Sequence, residues 1–142
     1  MVSSDLKEAA RLCDNKHISF HVDIRHGTTD FIADSDLTSL FGNLLDNAIE
    51  AASSIPEAFI EINTVRRANT PFVVITVINS SRKNPFSNPQ GGLATSKSDR
   101  RRHCFGIKSI RKTVNKYQGD IKMYYNDDTL TFHTIIGIKL SP

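Results

Sequence analysis

The sequence lacks the features that mark membrane-spanning, secreted and disulfide-stapled proteins. Its longest apolar stretch, at about residues 72–78, is interrupted by Thr76 and is far shorter than the roughly 20 residues that a membrane span needs. No apolar signal region stands at the N-terminus. The two cysteines, Cys13 and Cys104, are far apart in the sequence, which is typical of reduced thiols in a cytosolic protein and not of a disulfide framework.

The charge balance is too even to indicate nucleic acid as a partner. The net charge is only +3 over 142 residues, whereas nucleic-acid-binding domains usually carry a concentrated basic surface. The densest basic run, residues 100–103, has no alternating aromatic residues for base stacking and no groove-reading motif. A solvated loop is the simplest interpretation of each arginine in it. The alternatives are steering of an anionic ligand or contact with a partner domain.

Length and periodicity predict one domain built as a two-layer α/β sandwich. With 39% hydrophobic and 23% charged residues, the chain can bury a core without metal or disulfide bonds. In order, the predicted elements are a helix at 4–16, a strand at 18–24, a helix from 34 or 35 to 53 or 54, strands at 59–65 and 72–78, a helix from about 107, and strands at 121–125 and 130–140. Residues 79–103 show no periodicity, and so long a loop inside a compact domain is often functional, for example as a lid.

The helix predicted around residues 34–54 carries the clearest pattern. Its apolar residues recur at 3.6-residue spacing in one stripe, which consists of Leu37, Leu40, Phe41, Leu44, Leu45, Ala48 and Ala52. Asp34 or Ser35 is expected to cap its start, and Asp36 in the first turn suits the helix dipole. Gly119 is expected to end the next helix.

Three polar residues share one face of this helix, beside the apolar stripe. Asn43, Asn47 and Glu50 are spaced i, i+4 and i+7, which at about 100° per residue places them in a row. Two carboxamides and a carboxylate offer oxygen ligands for a hard cation such as magnesium and donors for phosphate. The alternative is an ordinary solvated polar face.

The segment LFGNLLDNAIEAA at residues 40–52 resembles the N box of Bergerat-fold ATPases, a group that includes gyrase, the ninety-kilodalton heat-shock chaperone, mismatch-repair ATPases and histidine kinases. The resemblance implies a mixed, mostly antiparallel sheet with helices on one face and an ATP lid. It places Asn47 at the magnesium-binding asparagine. Asn43 falls where gyrase-like hydrolases carry a glutamate that activates water, and an asparagine cannot be a general base. This favours a kinase, in which Asn43 and Asn47 are the predicted catalytic residues.

Residues 77–81, VINSS, resemble the start of the G1 box of that family. The family usually has aspartate where Asn79 stands, bonding the adenine amino group. The subfamily of peptide-pheromone sensor kinases often has asparagine there, and the amide oxygen of Asn79 can still accept from the adenine amine. The usual glycines do not follow it. Without the resemblance, Asn79 would be interpreted as a turn residue at a strand end.

Residues 94–97, ATSK, resemble the lid segment that lies near the ATP phosphates. The resemblance implies that Thr95 and Ser96 offer hydroxyl donors to phosphate and that Lys97 offers a cation.

Residues 103–110, HCFGIKSI, resemble the G2 box of the same subfamily. That box opens a helix, so backbone N–H groups at Cys104, Gly106 and Ile107 are expected to face the phosphates. Gly106 matches the second glycine of the box, while Cys104 replaces the first. The glycine conformation expected there would strain a cysteine.

The resemblance spans about residues 5–140, so residues 1–142 are interpreted as one histidine-kinase-like domain, a fragment of a larger sensor protein. It implies a protein histidine kinase that binds Mg-ATP and presents the γ-phosphate to a histidine on a separate dimerisation domain of the same protein, with a response regulator downstream. None of the histidines at positions 17, 21, 26, 103 and 133 has the Arg-His-Asp context of an acceptor on a predicted helix. The expected location is cytoplasmic, without direct membrane contact, whether or not the parent protein is membrane-anchored. The alternatives are a degenerate nucleotide-gated interaction module and an anti-sigma-type serine kinase.

Overall fold

A computed structural model describes the backbone of residues 2–83 and 97–140 and the side chains of residues 4–83 and 106–140. In chain order the elements are α1 (Val2–Asn15), β1 (Ser19–Ile24), α2 (Asp34–Ala52), β2 (Phe59–Arg66), β3 (Phe72–Ser80), α3 (Lys97–Lys116), β4 (Asp120–Asn126) and β5 (Thr131–Lys139). The predicted lid residues Thr95 and Ser96 lie outside the described residues, and so do the side chains of Lys97 and Cys104.

The described strands form one five-stranded sheet in the order β1-β2-β3-β5-β4. β1 and β2 run parallel, because α2 crosses over between them and returns the chain to the same end of the sheet. The other three pairs are antiparallel. The predicted α+β class, with a mixed and mostly antiparallel sheet, is confirmed.

One hydrophobic core lies between the sheet and the helices. On the central strand β3, Val73, Ile75 and Val77 are at most 2% exposed, and they alternate with half-buried residues on the other face. All seven residues of the stripe predicted on α2 are buried in this core. α2 therefore buries its apolar stripe in this core, and its polar face lies beside that stripe.

α3 begins at Lys97, so the prediction of a helix from about residue 107 is wrong at its start. The residues from 97 to 103 are polar and have no apolar residues at helical spacing. Hydrophobic periodicity therefore could not predict that they are helical. Lysine and arginine nevertheless have favourable helix propensity, and a helix already nucleated by packed residues extends at little cost. His103 consequently lies on helical backbone, which the sequence did not predict, although its Arg-His-Cys context is unchanged.

The start of α2 also differs from the prediction. Its N-cap is Ala33, which makes no side-chain capping bond, so neither Asp34 nor Ser35 caps the helix. The backbone N–H of Ala33 instead donates to the phenol oxygen of Tyr117 at 2.9 Å. A tertiary contact has replaced part of the local cap that the sequence predicted.

α3 ends in a Schellman motif in which Gln118, and not the glycine, takes the left-handed conformation, with φ 56. The N–H of Gln118 donates to the Asn115 carbonyl at 3.0 Å and that of Gly119 to the Val114 carbonyl at 2.9 Å. A Cβ at Gly119 would lie 2.5 Å from the carbonyl oxygen of Gly137. Gly119 is therefore required by the close approach of β5 and not by its own backbone angles.

Candidate functional site

Two amides of α2 lie beneath a glycine of α3. Asn43 and Asn47 are one turn apart on α2 and both are half-buried. A Cβ at Gly106 would lie 3.5 Å from the Oδ1 of Asn43 and 3.7 Å from the Oδ1 of Asn47. The structure thus brings together three of the residues singled out in the sequence. Because Gly106 has no side chain, the space that a Cβ would fill is left between the two amides and the helix backbone.

The amide of Asn43 is oriented by its own helix. Its Nδ2 donates to the carbonyl oxygen of Ser39 at 2.9 Å, the residue one turn earlier. This bond identifies Nδ2 as the donor, so the atom that faces Gly106 is the acceptor Oδ1. Glu50, on the same helix face, is exposed and stands farther along α2. The amide pair, and not the carboxylate, faces the glycine.

A chain of polar contacts aligns α2 with α3. Ser39 Oγ and Ser109 Oγ lie 3.3 Å apart. At the other end of this seam, the carboxylate of Asp36 accepts from Tyr117 Oη at 2.6 Å and from Lys116 Nζ at 2.8 Å. The hydrogen bond from Lys116, and then that from Tyr117, lowers the pKa of Asp36 below its usual range. The contacts hold the end of α3 against the start of α2, and so set where Gly106 meets the two amides.

Asn79 lies on β3 one residue before the strand ends, and it is 3% exposed. Its Nδ2 donates to the carbonyl oxygen of Ser80 at 3.0 Å, which identifies Oδ1 as the acceptor of this amide. Asn79 follows Val77 by two residues and therefore shares its helix-facing side of the sheet. A buried strand position replaces the exposed turn that would be the simpler expectation for this asparagine.

The two serines after Asn79 are held by contacts that sequence reasoning missed. Phe59 N–H donates to Ser80 Oγ at 2.9 Å, and Ser81 N–H donates to the Leu130 carbonyl at 3.0 Å. The phenol of Tyr125 donates to the Ser81 carbonyl at 2.8 Å. All three partners come from other strands or turns, so local sequence carries no signal for them. For Tyr125, the one available signal is the pairing register of the β4–β5 hairpin, which places it on the same face of the sheet as Asn79.

The model of the GHKL domain family matches residues 32–137. This match covers most of the chain and includes α2, β3, α3 and the amide pair. The chain belongs to the GHKL family. A search of curated protein sequences finds no match.

The fold of this GHKL domain is that of histidine kinase catalytic domains. The mycobacterial sensor histidine kinase MprB superposes with a TM-score of 0.67 at 15% identity, over 99% of this chain and 97% of that one. The catalytic domain of the histidine kinase ThkA gives 0.66 at 20% identity, over 99% and 94%. The Acinetobacter baumannii histidine kinase AdeS gives 0.68 at 13% identity, over 99% and 64%. The predicted resemblance to Bergerat-fold ATP-binding domains is confirmed.

The predicted arrangement of the G2 box is wrong in two respects. Gly106 and Ile107 lie well inside α3, which begins at Lys97, so their N–H groups bond to the preceding turn and do not point from a helix N-terminus. Cys104 also has helical backbone, which any residue adopts, and the predicted strain at this cysteine is absent. Gly106 is buried and Ile107 is half-buried.

Two further findings concern the described part of this GHKL domain. No helix there is long and apolar enough to cross a membrane. Within the same residues, no three His, Cys, Asp or Glu side chains are grouped so that they could hold a metal ion. The side-chain oxygen atoms nearest Gly106 belong to the carboxamides of Asn43 and Asn47.

Proposed function

We propose that this GHKL domain is the ATP-binding catalytic domain of a sensor histidine kinase, which binds Mg-ATP between α2 and the segment leading into α3. The observation that carries the proposal is the close approach of Gly106 to the amides of Asn43 and Asn47, whose Oδ1 atoms would lie 3.5 and 3.7 Å from a Cβ at this glycine. Carboxamide oxygens and a glycine without a side chain fit a hydrated cation and phosphate oxygens. ATP is the substrate, and the γ-phosphate goes to a histidine on a separate dimerisation domain of the same protein. A response regulator would receive it next.

Each residue of the site is proposed to contact a different part of Mg-ATP. Asn47 would hold magnesium through its amide oxygen, and the Oδ1 of Asn43 would accept a hydrogen bond from a water beside the phosphates. When bound, magnesium neutralises part of the phosphate charge. Asn79 would accept a hydrogen bond from the adenine amine through Oδ1. Thr95, Ser96, Lys97 and Cys104 remain proposed phosphate contacts, on the resemblance of their segments alone.

The absence of a base at Asn43 supports a kinase over a hydrolase. A carboxamide has no basicity and cannot take a proton from water. Phosphoryl transfer requires little from the protein beyond positioning and charge stabilisation. The two amides would supply positioning, and magnesium, when bound, would supply the positive charge. ATP held beside such residues is protected from hydrolysis until an acceptor histidine arrives.

The acceptor is proposed to come from another domain because no histidine of the chain is suited. His103 has helical backbone but lacks the Arg-His-Asp context, and the other four are unsuited by position. His17, His21 and His26 are exposed, in a turn, on an edge strand and in a loop respectively. His133 on β5 lies 2.8 Å from the hydroxyl of Thr131 and stacks on Tyr124. None of these four lies on a helix.

Titration calorimetry with Mg-ATP tests the proposal. Asn47→Ala should lower the affinity at least tenfold and leave the fold intact, because its side chain lies off the buried stripe. Asp46→Ala, one residue earlier and exposed, is the matched control and should bind as the wild type does. Equal affinity in wild type and Asn47→Ala would contradict the metal role, and no binding by wild type would contradict the proposed function.

A degenerate nucleotide-gated module is the second candidate, favoured by the position of Gly106 within α3. The backbone N–H groups around Gly106 already donate to carbonyl oxygens of the preceding turn, so they are not free to donate hydrogen bonds to phosphate. An assay with a supplied dimerisation domain separates the candidates. Acid-labile phosphohistidine supports the kinase, acid-stable phosphoserine an anti-sigma-type kinase, and ATP binding without transfer the module.

A further inference from the structure

Asn79 and Tyr125 lie in one row across three strands. Asn79 of β3 pairs with Phe132 of β5, and Phe132 pairs with Tyr125 of β4. Directly opposed residues share a face of the sheet, so the side chain of Tyr125 is on the same face as Asn79. The strand spacing of about 4.8 Å puts the two backbones roughly 10 Å apart. The long tyrosine side chain covers much of that distance.

The phenol of Tyr125 ends on the segment that follows Asn79. It donates to the Ser81 carbonyl at 2.8 Å, while the Ser81 N–H is bound to the Leu130 carbonyl at 3.0 Å. Both backbone polar groups of Ser81 are therefore held by the β4–β5 hairpin. Leu130 is left-handed, with φ 54, and half of its surface is exposed. The hairpin keeps this unfavourable conformation while its carbonyl binds Ser81.

We infer that Tyr125 is a positioning residue for adenine recognition: it holds the carbonyl end of Ser81 while Leu130 holds the N–H end, and together they fix the residue whose N–H shares a peptide with the Ser80 carbonyl that orients the amide of Asn79. The inference rests on the proposed function, since it assigns Asn79 to the adenine amine. The chain of contacts has two links, Tyr125 to Ser81 and Ser80 to Asn79. If the first link is removed, Ser81 is held only through its N–H to Leu130, so the Ser80–Ser81 peptide is less constrained and the amide of Asn79 is directed less well.

The phenol is suited to a permanent donor role. Burial, and then the nearby carboxylate of Asp127, raises the pKa of Tyr125 above its ordinary value. The hydroxyl therefore stays protonated throughout the physiological range and donates at all times. The hydrogen bond from Tyr125 to the Ser81 carbonyl is therefore not lost by ionisation of the phenol.

The test compares Tyr125→Phe with Tyr124→Phe. Tyr124 is the adjacent residue, exposed and stacked on His133 on the opposite face, so it controls for loss of a hydroxyl in β4. Displacement of a fluorescent ATP analogue by ATP and by GTP measures the base preference. Tyr125→Phe should narrow the ratio of ATP to GTP affinity by about tenfold, while Tyr124→Phe keeps the wild-type ratio. A purely structural role would weaken both nucleotides equally and leave the ratio unchanged, which would overturn the inference.

A second measurement on the nucleotide-free protein separates this inference from the proposed function. The side-chain amide protons of Asn79, followed by NMR, should exchange with solvent several-fold faster in Tyr125→Phe than in Tyr124→Phe. Equal exchange in the two variants would refute the coupling even if ATP binds. Faster exchange in a protein that binds no ATP would support the coupling and overturn the adenine assignment.

Discussion

A Cβ atom at Gly106 would lie 3.5 Å from the Oδ1 of Asn43. That distance is an ordinary van der Waals contact, so an alanine fits without moving either helix. It would nevertheless fill the space that the two amides of α2 face. Gly106 is also interior to a helix, where glycine is less favourable than alanine. The glycine therefore lowers the stability of α3 and keeps the space between the amides and the helix open.

Gly106→Ala is expected to make the protein more stable and the site weaker. Alanine in a helix interior gains up to about 1 kcal/mol over glycine, while the added methyl should lower Mg-ATP affinity about tenfold, or roughly 1.4 kcal/mol. Gly42→Ala is the matched control, because its Cβ would meet nothing within 4 Å. It should gain similar stability with unchanged affinity. Thermal unfolding and calorimetry on both variants check this, and unchanged affinity in Gly106→Ala would show that the nucleotide does not use this space.

Asn79→Asp is expected to weaken Mg-ATP binding, although aspartate is the residue usual in the family. The Nδ2 of Asn79 donates to the Ser80 carbonyl, and a carboxylate would place an acceptor against that oxygen in a buried position. An unmade buried hydrogen bond costs about 1–3 kcal/mol, so both affinity and stability should fall. Asn63→Asp, half-buried on the other face of the sheet, controls for the added charge. Tighter ATP binding by Asn79→Asp would contradict this prediction, because it would show that a carboxylate at position 79 binds ATP better than the amide does.

Strong acid is expected to weaken the contacts between α2 and α3 by protonating Asp36, and so to lower the stability of the fold. Its hydrogen bonds from Lys116 and then Tyr117 lower its folded-state pKa, so its stabilising contribution is complete above the unfolded value of about 3.9. The contribution is lost as the pH falls through the lowered folded pKa. Asp36→Asn should therefore be less stable than wild type at neutral pH, with the difference shrinking in strong acid.

The control for this prediction is Asp34→Asn. Asp34 is exposed in the same first turn of α2, so it shares the helix dipole with Asp36 but not the contacts to α3. Chemical denaturation at neutral and acid pH measures both variants. A stability difference between Asp36→Asn and wild type that does not vary with pH would contradict the assignment.

Patterns that depend on one element at a time were predictable. The stripe on α2 and the shared face of Asn43 and Asn47 follow from 3.6-residue geometry within a single helix. The start of α3 was not predictable in this way, because the residues after Lys97 carry no apolar period. Tyr125 was missed since its partner, the Ser81 carbonyl, lies on a segment far away in the sequence.

The sequence by itself determined the class of the fold, the helix that carries the amides and the family to which the chain belongs. These properties depend on periodicity and on a contiguous motif, which can both be recognised in the sequence without knowing any long-range contact. Only the tertiary structure decided that Gly106 faces those amides, that Gly119 is required by β5, and that the β4–β5 hairpin holds the segment after Asn79. Each of these depends on how elements distant in the chain approach one another, and that approach is set by packing of the whole core.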